Sequence, residues 1–244
     1  MTSMTSTAEA PYYGVIGTGH ENEIRWKTES VSLVSDRWVV CAARSIISMG
    51  SWNVHFVGLG GTFTLDYHPK FSPGETYGVA KLLMHPLHSK SYSDVYNNIA
   101  LLQLDRRVTF TSRIFPACLH TGSPLPDSGF VHIDLEAKMT SMQLVPEEEC
   151  SGMFPADRSS SHPVGVKYDQ EICSRPVNTT RACMGGIDGA PLTLPNSPRV
   201  ACTHLLVGLV SIWEYTPCTI TNTRISGFIP WIEGIVWPES GIVN

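Results

Sequence analysis

Apolar residues recur along the chain in short runs, some continuous and some alternating with polar residues. Val31–Ala43, Val54–Leu59, Val79–Met84, Ile99–Leu104, Val131–Leu135 and Leu205–Ile212 are the clearest. Turn formers break them, as at Gly60-Gly61, Ser72-Pro73-Gly74 and Ser123–Gly129. Many short runs with such punctuation predict strands, and together an all-β sandwich or pair of barrels. The tail differs. Trp231, Ile232 and Ile235 fall on one face at helical spacing, which predicts a short helix within Ile229–Trp237. There is no internal repeat and no low-complexity linker. Residues 1–13 are small and polar and read as a leader or linker, leaving residues 14–244 as one domain.

Composition narrows the function classes. With 244 residues and 42% hydrophobic content the chain can bury a sizeable core. A formal net charge of -5 argues against nucleic-acid binding, and no apolar run is long enough for a membrane span. Residues 1–13 lack a charged start followed by an apolar stretch, so no signal peptide is visible and an upstream segment is expected. The seven cysteines form no C-x-x-C pair, which argues against a zinc knuckle, and their odd number leaves at least one thiol unpaired within the chain. His85-Pro86-Leu87-His88 has no carboxylate at ligand spacing, so neither metal nor cofactor is expected. Glu147-Glu148-Glu149 reads as a solvated face.

Several stretches then carry a resemblance. Cys183-Met184-Gly185-Gly186-Ile187-Asp188-Gly189-Ala190-Pro191-Leu192 is similar to the nucleophile loop C-x-G-D-S-G-G-P-L of trypsin/chymotrypsin-like (S1) serine proteases. Ser32–Ser45 resembles that family's S-L-I-S-x-x-W-V-(V/L)-T-A-A-H-C. Met84-His85-Pro86 and Asn97-Asn98-Ile99-Ala100-Leu101-Leu102-Gln103-Leu104 resemble H-P and N-N-D-I-A-L-L-x-L. Phe115-Pro116-Ala117-Cys118-Leu119, Gly208-Leu209-Val210-Ser211-Ile212-Trp213 and Asn222-Thr223-Arg224-Ile225 with Trp231-Ile232 match later family stretches in order. The resemblance spans roughly residues 14–237. It implies the chymotrypsin-like architecture: two six-stranded antiparallel Greek-key β-barrels with a short C-terminal helix, and a site in the cleft between barrels.

In that alignment the three catalytic positions hold Arg44, Asn98 and Asp188, where the family has histidine, aspartate and serine. Acyl transfer on this fold needs a hydroxyl nucleophile, an imidazole base and a carboxylate that orients the base. A guanidinium stays protonated and cannot be the base, Asp188 has no hydroxyl, and Asn98 has no ring to orient. The expectation is a non-catalytic serine protease homologue, with no catalytic residues. The pocket positions differ as well: Arg181 stands for the floor aspartate of trypsin-like members, Ser211 is retained, and Trp213 replaces a wall glycine with an indole expected to fill the space. The nearest match to the family's activation start I-V-G-G is Val15-Ile16-Gly17, with no basic residue before it, and Ile187 replaces the receiving aspartate. Ser45 and Glu29 occupy both ends of a family disulfide.

The resemblance implies the bridges Cys150–Cys173 and Cys183–Cys218. For Cys118, whose family counterpart often ties to an upstream segment, Cys202 is the candidate partner, leaving Cys41 as a buried free thiol. Asn178-Thr179-Thr180 is an N-glycosylation sequon. By family analogy, the implied role is that of a secreted, extracellular cofactor of the arthropod clip-domain type, whose partners are other proteins such as active proteases or their zymogens in an immune cascade. The alternatives are an active S1 endopeptidase that recruits His85 or Ser211, and a carbohydrate- or microbial-surface-binding module. The opposite charges at positions 44 and 188 predict an Arg44–Asp188 salt bridge across the cleft, with Asn98 accepting a further N–H of Arg44.

Overall fold

The computed structural model describes residues 3–6, 9–50, 54–65, 70–133, 139–158, 160–178, 188–195, 204–214 and 218–238. In chain order its strands are β1 (Ser3–Ser6), β2 (Tyr13–His20), β3 (Glu23–Leu33), β4 (Trp38–Cys41), β5 (Phe56–Leu59), β6 (Thr62–Leu65), β7 (Lys70–Ser72), β8 (Glu75–Met84) and β9 (Ala100–Leu104). They continue with β10 (Cys118–Leu119), β11 (Ser128–Ile133), β12 (Met139–Leu144), β13 (Glu171–Pro176), β14 (Pro191–Pro195), β15 (His204–Glu214) and β16 (Thr219–Arg224). Among the described residues the helices are α1 (Ala43–Ser48), α2 (Glu147–Met153) and α3 (Ile229–Val236), the last preceded by a 3-10 turn over Ile225–Phe228.

Six strands close the first barrel in the order β2-β3-β4-β9-β8-β5. The second is also six-stranded: β15-β14-β11-β12-β13-β16 closes through the β15–β16 pairing, and β10 adds to it in parallel beside β15. Closure pairs each of the six strands of either barrel on both sides. The apolar runs supply the barrel interiors. One cluster holds Ile16, Leu33, Val57 and Leu101, and extends to Leu209, Ile225 and Ile232. A second holds Phe130, Met142, Leu192, Val207 and Ile220. The predicted terminal helix forms, and its buried Ile232 joins it to the first cluster. Pro230 sits near its start, where a missing N–H costs least.

Two stretches singled out in the sequence are built into the fold. Within residues 1–13, Ser3–Ser6 forms a strand and residues 10–13 are buried. β1 pairs with β6, and Tyr12 and Tyr13 are wholly buried. Each tyrosine carries its hydroxyl to a buried partner: Tyr13 to Ser30 Oγ at 2.9 Å, and Tyr12 to Thr193 Oγ1 of the second barrel at 3.0 Å. Val15-Ile16-Gly17, read as the nearest match to an activation start, lies inside β2, which pairs with β3 on one side and β5 on the other. Close strand approach explains its glycine-rich surroundings. A Cβ on Gly14 would stand 2.6 Å from Leu59 Cδ2 and 2.7 Å from the Gly58 carbonyl oxygen.

Cys150 and Cys173 are bonded to each other, tying α2 to β13. Cys118 and Cys218 are each in a disulfide. Cys183 and Cys202 lie outside the described residues. Cys41, at the end of β4, is a free thiol and wholly buried, and burial pushes its pKa up to about 12. A thiol so far from ionising is a packing residue.

Replacing Tyr12 by Phe strands the Thr193 hydroxyl in the interior. We expect a loss of about 1–3 kcal/mol, read as a lower urea midpoint with unchanged secondary structure.

Candidate functional site

The cleft between the barrels is assembled from four short stretches. α1 starts directly after β4, and its first turn places Arg44 in the junction, 5% exposed. Asn98 precedes β9 and is wholly buried. The backbone enters it through Asn97, which adopts a left-handed φ of 51° and donates its N–H to Gln170 Oε1 at 3.2 Å. Ser211 comes from β15. The pairing of β15 with β16 shifts register between Val210 and Ile212, so Ser211 stands out of the ladder as a bulge. Its carbonyl is thereby released for another donor. Asp188 lies in the turn before β14, held by Gly189 at φ 81°. A Cβ on Gly189 would also press on the Ser30 carbonyl at 3.1 Å and the Ala42 nitrogen at 3.2 Å.

These stretches meet through a fixed hydrogen-bond network. Arg44 donates from one terminal nitrogen to the Ser211 carbonyl at 2.6 Å and from Nε to the Tyr92 carbonyl at 2.7 Å. Its guanidinium carbon sits 4.4 Å from the centroid of the Tyr92 ring. Asn98 Oδ1 accepts the backbone N–H of Arg44 at 2.8 Å, and Asn98 Nδ2 donates to Ser211 Oγ at 2.9 Å. Thr223 Oγ1 donates to the Asn98 carbonyl at 3.0 Å, and Ser45 Oγ to the Asp188 carbonyl at 3.0 Å. Arg44, Asn98, Asp188 and Ser211 are therefore brought together as the alignment implies.

The expected Arg44–Asp188 salt bridge is not the arrangement found. No ion pair within 4.0 Å joins the two side chains among the described residues. Instead Tyr92 stands between them, stacked under the guanidinium and donating its hydroxyl to Asp188 Oδ2 at 3.3 Å. The physical reason is that two backbone carbonyls, one freed by the bulge, lie closer to the fork than the carboxylate does. Asn98 likewise accepts the backbone N–H of Arg44, not a guanidinium N–H. Burial pushes the Asp188 pKa above the ordinary carboxylate value, with nearby Glu29 adding to the rise, while Arg44 and the Tyr92 hydroxyl pull it down. Tyr92 escaped the sequence analysis. Its only trace there is an aromatic side chain in the otherwise polar stretch Ser89–Asp94, between two family motifs.

The remaining positions divide. Ser45 and Glu29, at the ends of the missing family disulfide, both make polar contacts: Ser45 as above, and Glu29 by accepting from Ser48 Oγ at 3.3 Å. Trp213 is half-buried against the second-barrel cluster, its ring 5.9 Å from and edge-on to His132. Arg181 and the loop through Ile187 lie outside the described residues. His85 is packed edge-on to Phe228 at 5.2 Å and Trp231 at 5.0 Å, at the terminal helix. Ser211 Oγ is engaged by Asn98. Among the described residues no group of three or more His, Cys, Asp or Glu is placed to hold a metal ion, and no described helix is long and apolar enough to cross a membrane.

Chemically, the network runs on donors of fixed polarity. A guanidinium has no lone pair with which to take a proton, and an amide nitrogen cannot take one at neutral pH. The arrangement is suited to holding backbone in place and to presenting one carboxylate and one tyrosine at the cleft mouth.

Two pH effects follow. Because burial raises the Asp188 pKa, the ionised carboxylate disfavours the folded state at neutral pH, and the penalty falls as pH drops through the carboxylate range. Asp188→Asn should therefore be more stable than the parent at pH 7, with the difference shrinking toward acid in urea titrations. Burial holds His132 neutral, lowering its pKa from 6.5 to about 4. Unfolded His132 protonates first, so stability is lost as pH falls from 6.5 toward 4, on the order of 3 kcal/mol from this group. His132→Leu should flatten that part of the stability–pH curve.

Comparison with known proteins agrees with this geometry. The trypsin family matches residues 23–232. Serine protease Hayan of Drosophila melanogaster is 29% identical over 86% of this chain and 34% of its own length. Serine protease snk of the same organism is 28% identical over 91% of this chain and 52% of its own. Phenoloxidase-activating factor 1 of Holotrichia diomphalia is 25% identical over 96% of this chain and 68% of its own. The chain thus spans about a third to a half of the length of the first two. The crystal structure of the Drosophila Grass clip serine protease of the Toll pathway superposes with a TM-score of 0.69 at 19% identity, covering 95% of this chain and 70% of that one. With two closed barrels in place and a family match running through both, the chain belongs to the trypsin family of S1 serine proteases and their homologues.

Proposed function

We propose that this chain is a non-catalytic member of its family, acting as a binding or regulatory cofactor in an extracellular proteolytic cascade. The observation that carries the reading is the state of Arg44. At the position of the family's base stands a buried guanidinium that donates from Nε to the Tyr92 carbonyl and from one terminal nitrogen to the Ser211 carbonyl. Asp188 supplies no hydroxyl, and a carboxylate beside a developing oxyanion would oppose the charge that acyl transfer must stabilise. His85, the histidine considered as a substitute base, is engaged at the terminal helix.

The partners of such a domain are other proteins, active proteases or their zymogens among them. Relatives named for phenoloxidase activation, and a fold match named for the Toll pathway, support the cascade setting. The disulfides support an oxidising, extracellular home. In that compartment the sequon is open to the glycosylation machinery, since Asn178 is exposed beyond the end of β13.

Incubation with a fluorophosphonate probe and with arginyl peptide amides tests the reading. No labelling and no turnover are expected. Turnover that persists through purification and vanishes in Asp188→Ala contradicts it. In protein secreted from animal cells, an N-glycosidase should remove mass from the parent and none from Asn178→Gln. Equal masses before and after treatment would leave Asn178 unmodified.

A further inference from the structure

The strap that carries the chain from β9 to β10, and so from the first barrel to the second, presents apolar surface outward. Phe110 and Phe115 are 42% and 41% exposed, and their rings pack on each other with centroids 5.3 Å apart. Residues 109–113 are exposed in succession. Phenylalanine is normally an interior residue. Exposed singly it needs no explanation, but contiguous apolar surface marks a contact site.

The pair is displayed on a fixed turn. The Thr111 N–H donates to the Ile114 carbonyl at 2.8 Å, and Thr111 Oγ1 accepts the N–H groups of Arg113 and Ile114 at 3.2 and 3.1 Å. Ile114 is buried, so close to Gly60 that a Cβ there would stand 2.6 Å from Ile114 Cγ1. On the two flanks, Val108 donates its N–H to the Asp36 carbonyl at 2.7 Å, and Phe115 donates its own to the Pro11 carbonyl at 2.9 Å. The rings are therefore held in place before any partner arrives, which lowers the ordering cost of binding.

A cation without a counter-charge lies beside them. Arg113, in the turn between the two phenylalanines, is exposed and donates from one terminal nitrogen to the Gly60 carbonyl at 3.1 Å. No carboxylate pairs with it among the described residues. Two acidic groups held against the strap are taken by other arginines: Asp105 by Arg106 at 3.3 Å, and Asp36 by Arg107.

We propose that this turn is a docking site for an acidic segment of a partner protein, which sets an aromatic or aliphatic side chain against the Phe110–Phe115 pair and a carboxylate on Arg113. Aromatic residues and arginine are the side chains on which interface energy concentrates, and opposite charge across a contact selects the partner. The turn shares none of these hydrogen bonds with Arg44, Asn98, Asp188 or Ser211. The inference therefore does not depend on whether the cleft is catalytic.

Heteronuclear NMR of the whole isotope-labelled protein tests it with two peptide probes, one carrying Phe-Leu between pairs of glutamates and the other Phe-Leu between pairs of lysines. Titration of the acidic peptide to millimolar concentration should move the amide signals of residues 109–115 saturably, and the lysine peptide should leave them in place. Phe110→Ser combined with Phe115→Ser should weaken that binding roughly tenfold or more, with the far-UV dichroism unchanged. Arg113→Glu should reverse the preference between the two peptides, which reads the charge requirement with both rings intact. No response of the turn to the acidic peptide, an equal response to both, or shifts that persist in the double variant would each overturn the proposal. So would signals of the turn that move on diluting the protein alone, or with anionic vesicles and not with the acidic peptide, because a second copy or a lipid surface would then be the occupant.

Discussion

The two barrels are held in register by a buried cation that satisfies backbone. Placing a guanidinium at 5% exposure carries a desolvation cost that only well-aligned partners offset. Arg44 finds them in the bulged carbonyl of Ser211 from one barrel and the Tyr92 carbonyl from the other, both at charge-assisted distances. The Tyr92 ring beneath it, and Asp188 beyond, supply further negative potential. The dependence is mutual: without the arginine, the Ser211 carbonyl is a buried acceptor released from its ladder with nothing to accept.

Asn98 extends the same logic. A carboxylate at that position can only accept, so the Ser211 hydroxyl would have to donate to it. The amide reverses that bond, donating to Ser211 Oγ while its own oxygen takes the Arg44 backbone N–H. Every strong bond at the junction then has one direction. Acid–base catalysis needs a group that changes its protonation state during the reaction, and a rigid connector needs groups that do not. The proposed non-catalytic role rests on that opposition.

Much of this was legible beforehand, and for physical reasons. The barrels could be read because closed sheets require short alternating runs, and the terminal helix because Trp231, Ile232 and Ile235 share a face. The meeting of residues 44, 98, 188 and 211 followed from motif alignment, since the fold fixes those backbone positions. What alignment could not supply was the choice of partner. Opposite charges predicted an Arg44–Asp188 pair, whereas the bulge at Ser211 and the insertion of Tyr92 offered nearer acceptors. A bulge leaves no mark in composition, and a loop aromatic between two motifs has no counterpart to align with. The stretch around Tyr12 and Tyr13 is polar and reads as a leader or linker. Only the structure shows each hydroxyl meeting a buried partner.

The most direct measurement is urea unfolding of Arg44→Met, which keeps the length and apolar stem of the side chain and removes the guanidinium. Buried ion pairs can often be exchanged for apolar residues at no cost. A guanidinium that satisfies backbone carbonyls cannot, because the carbonyls remain. The account predicts a clear fall in the unfolding midpoint, with the Ser211 and Tyr92 acceptors left unpaired, and only partial recovery in Arg44→Lys, whose single ammonium cannot reproduce the fork. A midpoint for Arg44→Met equal to or above that of the parent would contradict it.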